Sequence, residues 1–372
     1  MAETKDKILF LGKLPPPYIG PAVASQAILN SRLKDYFALI HLDLSDHRDI
    51  NTLGKFDFTN FYLAFRQYFR LVHLIIVHRP GLVYIPAGQT TVGYLRDSVF
   101  IVIAKLFRRK VVCHLRGGNF KNWYDGASRL MKWWVRFVHR RVDGQIVLGQ
   151  NLRGLFDWLL PAEKIFVVPN GGNYAFPVET KTDRPVRVLF LGNFISSKGL
   201  IEVLKAAVIL GEKAGEMRFL FAGSWRDPET RQEFEAILTA NRHLQVDVLG
   251  PVVGQEKLRL LASAHIFVFP TYYPNEGHPW VIVEALAAGL PIISTARAAI
   301  PESVIAGKNG FLVEPKNPGQ VAEKIDYLVS HPETRRQMGE ESRKLYRENF
   351  TEEKMVERLR AAFQEILDRR GG

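Results

Sequence analysis

The sequence predicts two α/β domains, each a doubly wound parallel sheet covered by helices. Two segments resemble each other, "KILFLGK" at 7–13 and "RVLFLGN" at 187–193, and in each an apolar run ends in glycine. Buried parallel strands have this continuous apolar character before a tight turn. After each segment, apolar runs alternate with helical segments, as in doubly wound folds. A length of 372 residues with 47 % hydrophobic residues is enough for two cores.

Six strands are expected in each domain. In the first domain they lie near 7–12, 37–43, 82–86, 110–114, 145–148 and 165–168. In the second domain they lie near 186–191, 217–222, 245–249, 266–270, 291–294 and 310–313. These strands and their connections predict domains over 1–172 and 173–350.

The join between the domains is expected in the segment 167–185, which is rich in proline, glycine and asparagine. A last helix is expected over 351–372, and it could pack back on the first domain. Thr351 is a suitable N-cap for this helix, and the two glutamates that follow suit the positive end of its dipole.

The net charge of +12 is concentrated in the first half of the chain. Residues 1–175 hold 24 Lys+Arg against 12 Asp+Glu, whereas residues 176–372 hold 26 of each. Within 51–141, 16 basic residues stand against 3 acidic ones, an excess of 13. This asymmetry indicates an anionic partner for one domain only.

Two basic segments of the first domain are also rich in aromatic side chains. The segment 56–79 carries an aromatic and apolar stripe at helical spacing, with Arg66 and Arg70 off that stripe. The stripe consists of Phe58, Phe61, Tyr62, Phe65, Tyr68, Phe69 and Val72. The segment "RLMKWWVRFVHRR" at 129–141 contains Lys132, Arg136, Arg140 and Arg141.

These basic segments permit two interpretations. They could be ordinary core-facing helices with solvated basic faces. They could also form a surface on anionic lipid or near an acceptor, with the six basic residues as contacts. Nucleic acid is not expected as a partner, because no nucleic-acid-binding module is visible.

The compartment is predicted from cysteine use and from apolar runs. Cys113 is the only cysteine, so an intrachain disulfide cannot form and a reducing compartment fits. No signal-peptide pattern is visible, and every apolar run is far shorter than the ~20 residues of a membrane helix. We expect a cytoplasmic protein, either soluble or peripheral on the cytosolic face of a membrane.

Two carboxylates lie at the start of an apolar helix in "YYPNEGHPWVIVEALAAGLPIIST" at 272–295. Pro279 suits the first turn of that helix, and Gly289 would end it. Glu276 then precedes the helix and Glu284 lies inside it, where an acid is rare unless it is paired. Carboxylates accept hydrogen bonds from hydroxyls, and a helix N-terminus binds anions. The pattern fits a sugar phosphate site, and it fits equally a capping acid and a structural acid.

This segment resembles the signature of the retaining GT-B glycosyltransferases of family four, the glycosyl transferases group 1. That signature is a glutamate, seven residues and a second glutamate before a Gly-Leu-Pro strand. The segments "IPE" at 300–302 and "GKNGFLVEP" at 307–315 continue the likeness. The resemblance implies a GT-B fold, in which two Rossmann-like domains face each other across a cleft. The first would bind the acceptor and the second the nucleotide-sugar.

The resemblance also implies roles for individual residues. Glu276 would contact the transferred sugar, and Glu284 would bind the ribose of the nucleotide. Backbone amides would contact the sugar and diphosphate near Gly277, His278, Pro279 and Trp280. Histidine and tryptophan are not the commonest family residues at these positions, which leaves the sugar preference open.

The loop "GNFISSKG" at 192–199 contains the candidate diphosphate contact. Lys198 lies where a turn enters a helix and suits a phosphate, although a solvated surface lysine is the alternative. The resembling family has an arginine five positions before this lysine, where this chain has Asn193. The departure either weakens the diphosphate contact or transfers it to Arg297, Arg226 or Arg116.

The first domain offers two further candidates. Gly20, in the loop 14–25, could let backbone approach a phosphate or sugar, and a plain turn is the alternative. His114 ends a strand, where the resembling enzymes often have a histidine that would orient the donor sugar. The alternative is a satisfied polar residue. Asn170 falls at a similar Asn-Gly of the family, but a turn is the simpler account.

No metal or other cofactor is expected, because neither an Asp-X-Asp loop nor a His/Cys cluster with metal spacing occurs. Lys198 and helix amides would stabilise the departing diphosphate. The resemblance implies transfer from a UDP- or GDP-sugar to a glycan or lipid-linked acceptor, as in polysaccharide biosynthesis, with retention of configuration. An oxocarbenium-like ion pair is favoured over a covalent glutamate intermediate.

Two other functions stay open. A nucleotide-sugar 2-epimerase would use the same fold, with additional acid–base residues and no acceptor. A catalytically silent accessory subunit would keep only the fold. Asn193 supports the silent subunit, whereas the intact pair of Glu276 and Glu284 speaks against it.

Overall fold

A computed structural model describes most of the chain. The described residues are 5–16, 19–45, 58–178 and 184–369, and the side chains of 58–62 lie outside the description. The predicted stripe positions Phe58, Phe61 and Tyr62 are therefore not described as side chains. Contacts divide the chain into two compact units, one reaching Asn170 and resuming at Glu352, the other spanning Gly171–Thr351.

The first unit is an α/β unit on one parallel sheet. Its strands are β1 (Lys7–Gly12), β2 (Ala38–Asp43), β3 (Leu82–Ala87), β4 (Lys110–Leu115), β5 (Gly144–Val147) and β6 (Ile165–Val167). They pair in the order β2-β1-β3-β4-β5-β6, and each neighbouring pair is parallel. The α-helices are α1 (Gly20–Asn30), α2 (Phe58–His78), α3 (Thr91–Leu106), α4 (Phe120–Gly126) and α5 (Arg129–His139).

The second unit repeats this plan. Its strands are β7 (Val186–Leu191), β8 (Met217–Ala222), β9 (Val246–Leu249), β10 (Ile266–Phe269), β11 (Ile292–Thr295) and β12 (Gly310–Val313). They pair in parallel in the order β12-β11-β10-β7-β8-β9. The α-helices are α6 (Leu200–Leu210), α7 (Pro228–Ala240), α8 (Gly254–Ser263), α9 (Trp280–Ala288), α10 (Pro318–Ser330) and α11 (Pro332–Asn349).

The predicted fold class is confirmed, since both sheets are parallel and helices connect their strands. Each of the twelve strands lies within about one residue of its predicted position. Continuous apolar runs made this possible: 8–11 in β1 and 188–191 in β7 are buried throughout. A strand covered by helices on both faces needs such a run, because no side of it meets water.

The last helix, α12 (Glu352–Asp368), packs within the first unit. Phe363 contacts the ring of Phe37 edge-on, with centroids 5.8 Å apart, and that of Tyr84 at 6.1 Å. Lys110 donates through Nζ to the carbonyl oxygens of Ile366 at 2.7 Å and Leu367 at 2.8 Å. These bonds occupy carbonyls at the C-terminal end of α12, where a cation is favourable.

A helix that crosses a membrane must be both long and apolar. Across the ranges the structure describes, no helix combines the two to the degree that crossing a membrane requires.

Candidate active site

The helix α9 carries the second glutamate of the predicted pair. It is buried along most of its length and ends at Gly289, which adopts a left-handed φ of 70°. Pro279 caps the helix and does not occupy its first turn. Its carbonyl accepts the N–H of Ile282 at 3.1 Å, so the helix begins one residue later than predicted.

Glu284 is buried to all but 3 % of its surface and keeps one oxygen open. Its Oε1 accepts a hydrogen bond from Lys257 Nζ at 2.5 Å. Its Oε2 has no hydrogen-bond partner in the described part of the chain. Burial raises the pKa of this carboxyl, and the charge of Lys257 opposes that rise. A buried acceptor with a free lone pair is suited to a ligand hydroxyl.

Glu276 lies in the loop between β10 and α9 and is paired with Lys198. Its Oε2 accepts from Lys198 Nζ at 2.6 Å and from Thr271 Oγ1 at 3.0 Å. The side chains of Lys198 and Glu276 are only 15 % and 8 % exposed, so solvent screens this ion pair weakly. The ammonium also lies 4.4 Å from the ring centroid of Tyr273.

Two loops bring this pair together. Lys198 ends a short 3₁₀ turn after β7, and Gly199 follows with a left-handed φ of 86°. A Cβ at Gly199 would lie 2.5 Å from the carbonyl oxygen of Pro270, so only glycine permits this approach. Tyr272 then donates its N–H to Ser197 O at 2.8 Å. The predicted positions at the carboxyl ends of β7 and β10 thus converge.

The side chains of His278 and Arg297 connect the loop between β10 and α9 with the segment that follows β11. His278 Nε2 is 2.7 Å from Ser303 Oγ, and its buried ring lies 5.1 Å from that of Phe350. Arg297 donates to the carbonyl oxygens of Tyr273 at 3.2 Å and Pro274 at 2.7 Å.

The backbone beside these side chains is also organised. Gly277 accepts the N–H of Ala299 through its carbonyl at 3.1 Å, and Trp280 is the partly exposed first residue of α9. The amide contacts predicted near Gly277 and Trp280 stay predictions.

Asn193 lies in the loop after β7, and Arg226 from the loop after β8 contacts it. Its Oδ1 accepts from Arg226 Nε at 3.3 Å. The two loops continue the pairing of β7 with β8, through a parallel bridge between Phe194 and Trp225. A cation therefore lies beside the position where the sequence departs from the family pattern.

His114 belongs to a polar network in the first unit. Arg116 donates to Tyr84 Oη at 2.9 Å and to Asn170 Oδ1 at 3.1 Å, and Tyr84 Oη lies 2.9 Å from His114 Nδ1. Burial, with a smaller contribution from the charge of Arg116, places the pKa of His114 well below its usual value, so the ring is neutral.

This network favours one position for the ring proton of His114. A guanidinium only donates, so the Tyr84 hydroxyl accepts from Arg116, and its single hydrogen remains to be donated to Nδ1 of His114. The proton of the ring is then on Nε2, and this buried atom has no hydrogen-bond partner in the described ranges. His114 thus presents an unused donor.

Gly20 is the first residue of α1, before Pro21. A Cβ at this position would meet no atom within 4 Å, so the fold itself does not require glycine there. Its contact with a ligand stays a prediction.

The six basic residues predicted as membrane or acceptor contacts lie on α2, on α5 and in the two residues after α5. Five of them are exposed: Arg66, Arg70, Arg136, Arg140 and Arg141. Lys132 is partly buried and donates to the carbonyl of Asp125 at 2.7 Å.

Of the two interpretations of the α2 stripe, the core-facing one is wrong for two of its rings. Phe65 and Phe69 are 58 % and 69 % exposed and share the outer face with Arg66 and Arg70. The helix buries Leu71 and Ile75 instead, because its core-facing side is turned relative to the aromatic repeat. Spacing alone identified the helix but not the side that packs.

Several residues of the site carry no sequence signal that would have revealed them. Lys257 and Ser303 are 27 and 25 residues from the side chains they contact. Thr271 could have been found, because it lies just beyond the carboxyl end of β10, where ligand sites of parallel sheets form. As for metals, no group of three or more His, Cys, Asp or Glu able to hold an ion occurs among the described residues.

Two parallel six-stranded sheets, each with helices between its strands, define a fold of the GT-B class. Residues 175–345, which make up most of the second unit, match the family model described as Glycosyl transferases group 1. The family prediction is thereby confirmed for the part of the chain that carried the signature.

Known proteins agree with this assignment. The capsular polysaccharide biosynthesis glycosyltransferase CapM of Staphylococcus aureus is 27 % identical over 179 residues, which are 48 % of this chain and 46 % of that protein. The chain spans about half the length of the curated relatives it matches.

Solved structures resemble the fold over nearly the whole chain. A glycosyltransferase from Rickettsia africae ESF-5 has a TM-score of 0.75 at 15 % identity, over 99 % of this chain and 100 % of that one. Anabaena Alr3699/HepE in complex with UDP-glucose has a TM-score of 0.72 at 16 % identity, over 96 % and 99 %.

Proposed function

We propose that this protein transfers a sugar from a nucleotide-sugar to a glycan or lipid-linked acceptor, with retention of anomeric configuration. The proposal is carried by the ion pair of Lys198 with Glu276 and by the unpartnered Oε2 of Glu284, which all lie in the second unit. A UDP- or GDP-sugar is the donor class, supported by the UDP-glucose complex of a structural neighbour.

Each of these three side chains receives one role. Glu284 accepts a ribose hydroxyl through Oε2 while Lys257 holds Oε1. Glu276 accepts a hydroxyl of the transferred sugar. Lys198 has three N–H donors, so it can keep its bond to Glu276 and still donate to the departing diphosphate. In the first unit, Nε2 of His114 has no partner among the described residues, and the predicted contact of this histidine with the donor sugar stays a prediction.

The reaction breaks the bond between the anomeric carbon and the diphosphate oxygen, and the electron pair leaves with that oxygen. The acceptor hydroxyl attacks from the same face through an oxocarbenium-like ion pair and loses its proton to the leaving phosphate. Preorganised cations and amides lower the cost of the charge that develops. We propose that this step needs no metal ion, with Lys198 acting at the diphosphate.

The acceptor is proposed to lie at a membrane surface on the cytosolic side. On α5, Leu130, Trp133 and Phe137 are 74 %, 56 % and 39 % exposed, at spacings of three and four residues. Arg141 stacks on the ring of Phe137 at 3.7 Å, and the ring of Trp133 stacks on the same phenylalanine at 5.3 Å.

The neighbouring helices extend this surface. Tyr68 of α2 packs edge-on against Phe100 of α3, and Trp134 of α5 donates to Ser98 of α3 at 2.9 Å. Helix α3 therefore contacts both α2 and α5, and α2 adds exposed Phe65 and Phe69. Apolar rings interleaved with arginines suit anionic lipid, which offers both a phosphate layer and acyl chains. An acceptor linked to lipid would be presented at that surface.

The first prediction concerns the donor. UDP- and GDP-sugars are screened for a rise in thermal stability, because a ligand that binds only the folded state raises it by mass action. Stabilising donors are then incubated with lipid extract, with and without a chelator, and the products are identified. We expect glycosylated lipid or glycan in both conditions.

Other outcomes of this screen have distinct meanings. Conversion of the donor sugar without an acceptor would replace the proposal by the 2-epimerase. Donor binding without any product would favour the silent subunit. Loss of activity in chelator with recovery in a divalent ion would contradict the metal-free step.

A further inference from the structure

The pairing of Lys198 leaves a shortage of positive charge for a nucleoside diphosphate. Lys198 is within 2.6 Å of the carboxylate of Glu276, and the two charges cancel at a distance. A diphosphate leaving group carries more than one negative charge. Sites that stabilise such groups place fixed cations and N–H donors around the developing charge. A second cation near the loop after β7 is therefore expected.

Two adjoining loops hold Arg226 at that place. Phe194 donates its N–H to Ser224 O at 2.8 Å, and Arg226 donates its N–H to Phe194 O at 3.2 Å. A Cβ at Gly223 would lie 1.8 Å from the carbonyl oxygen of Gly192, so only glycine lets the loops approach this closely. The loops after β7 and β8 are thus held in register beyond their strands.

The side chain of Arg226 is also oriented. Its Nε donates to Asn193 Oδ1 at 3.3 Å. Its two terminal nitrogens have no hydrogen-bond partner among the residues that the structure describes, and the side chain is exposed. Both loops leave the carboxyl edge of the parallel sheet, which is where open α/β sheets bind ligands. A guanidinium with two free nitrogens matches the geometry of phosphate oxygens.

The other two arginines that the sequence offers for the diphosphate are already occupied. Arg297 is bound to the carbonyls of Tyr273 and Pro274 and so stabilises their loop. Arg116 belongs to the network of Tyr84 and Asn170 in the first unit.

We infer that Arg226 binds the diphosphate of the donor and that Asn193 is the positioning residue that aims its guanidinium. This inference rests on the proposed function, since it assigns a further contact to the same ligand. The cation comes from the loop after β8, and the loop after β7 supplies the amide that holds it. Asn193 is then compatible with an active enzyme and does not indicate a silent subunit.

The test compares diphosphate with monophosphate binding. Affinities for UDP, GDP, UMP and GMP are measured by calorimetry for the wild type, Arg226→Gln and Arg231→Gln. Arg231 is the matched control, an exposed arginine of α7 that pairs with Glu235. For the diphosphate that the wild type binds, we expect Arg226→Gln to lower the affinity at least about tenfold. The matching monophosphate should change by less than about threefold, and Arg231→Gln should match the wild type.

A double variant tests the relation between the two positions. In Asn193→Arg with Arg226→Gln, the guanidinium moves to the loop after β7, and we expect most of the diphosphate affinity to return. Equal diphosphate binding by Arg226→Gln and the wild type would overturn the inference and leave the proposed function intact. So would an equal loss of the diphosphate and the monophosphate. A wild type that binds neither diphosphate would overturn the proposed function together with the inference.

Discussion

At the scale of single residues, Glu276 and Glu284 differ in which of their carboxylate oxygens already accept hydrogen bonds. Glu276 is bound by Lys198 and Thr271 through the same oxygen, Oε2. Glu284 is held by Lys257 through one oxygen and has the other open. Sequence spacing identified both acids and one lysine, but it could not show that Lys198 and Glu276 form a pair.

This difference predicts separate effects of two conservative substitutions. Glu284→Gln should weaken nucleotide diphosphate binding by roughly tenfold, because a charged acceptor for a hydroxyl is typically worth 1.5–3 kcal/mol. Glu276→Gln should leave that binding nearly unchanged and lower turnover by about a hundredfold, since it weakens contacts at the reacting sugar. Calorimetry and turnover assays measure the two effects.

The control for these substitutions is Glu333→Gln, which removes an exposed acid of α11 that pairs with Arg336. It should match the wild type in both assays. The assignment would be wrong if Glu276→Gln lost nucleotide binding while Glu284→Gln kept it. Unchanged thermal unfolding of each variant would show that the losses are not due to misfolding.

At the scale of elements, α5 shows why composition and position must be read together. It buries Val135, Val138 and His139 against the core, and its remaining face carries aromatic rings and arginines. In α2 the exposed face carries the same mixture, so the core-facing interpretation of its aromatic repeat does not hold there. An exposed face of this kind is unfavourable in water, so a covering partner is expected.

Vesicle flotation tests the proposed lipid contact of α5. The wild type should bind phosphatidylglycerol vesicles, with binding that falls as salt rises, because each basic residue contributes roughly 1 kcal/mol and is screened. Trp133→Ser with Phe137→Ser should reduce binding through loss of apolar insertion. Charge reversal at Arg136, Arg140 and Arg141 should abolish it.

Ile209→Ser, on an exposed position of α6 in the second unit, is the control and should bind like the wild type. A wild type that ignores anionic vesicles at low salt would contradict the lipid contact. A soluble acceptor would then be the better assignment.

At the scale of the whole molecule, the chain completes its first unit with its last helix. Phe363 of α12 is fully buried against Phe37 and Tyr84, which lie more than 270 residues earlier. A Cβ at Gly144 would lie 2.4 Å from Ile366 Cδ1, so a larger residue there would displace this side chain of α12. The first unit therefore depends on a segment that follows the second unit in the sequence.

The substitution Phe363→Ala should destabilise the first unit by about 3–5 kcal/mol, as typical of a large buried aromatic residue. Hydrogen exchange should show faster opening of β3 and β4 and little change in β10 and β11. Gln364→Ala, on the exposed side of α12, should leave exchange unchanged. Equal loss of protection in both units would show that they unfold together and contradict the separate dependence.

The sequence alone determined the twelve strands, the two-domain α/β class and the glutamate pair. These follow from local patterns: apolar runs of buried parallel strands, a glycine at the end of the two similar runs 7–13 and 187–193, and a fixed spacing of two acids. Each pattern lies within a short stretch of sequence, so it can be recognised without knowledge of distant contacts.

Only the tertiary structure decided how the side chains of the candidate site are paired. The partners Lys198 and Glu276 are 78 residues apart, Lys257 and Glu284 are 27 apart, and Arg226 and Asn193 are 33 apart. Hydrogen bonds and ion pairs act over about 3 Å, and the folding of loops at a sheet edge decides which groups come that close. The buried face of α2 was decided in the same way, because packing against α3 selects the side of a helix that spacing alone leaves open.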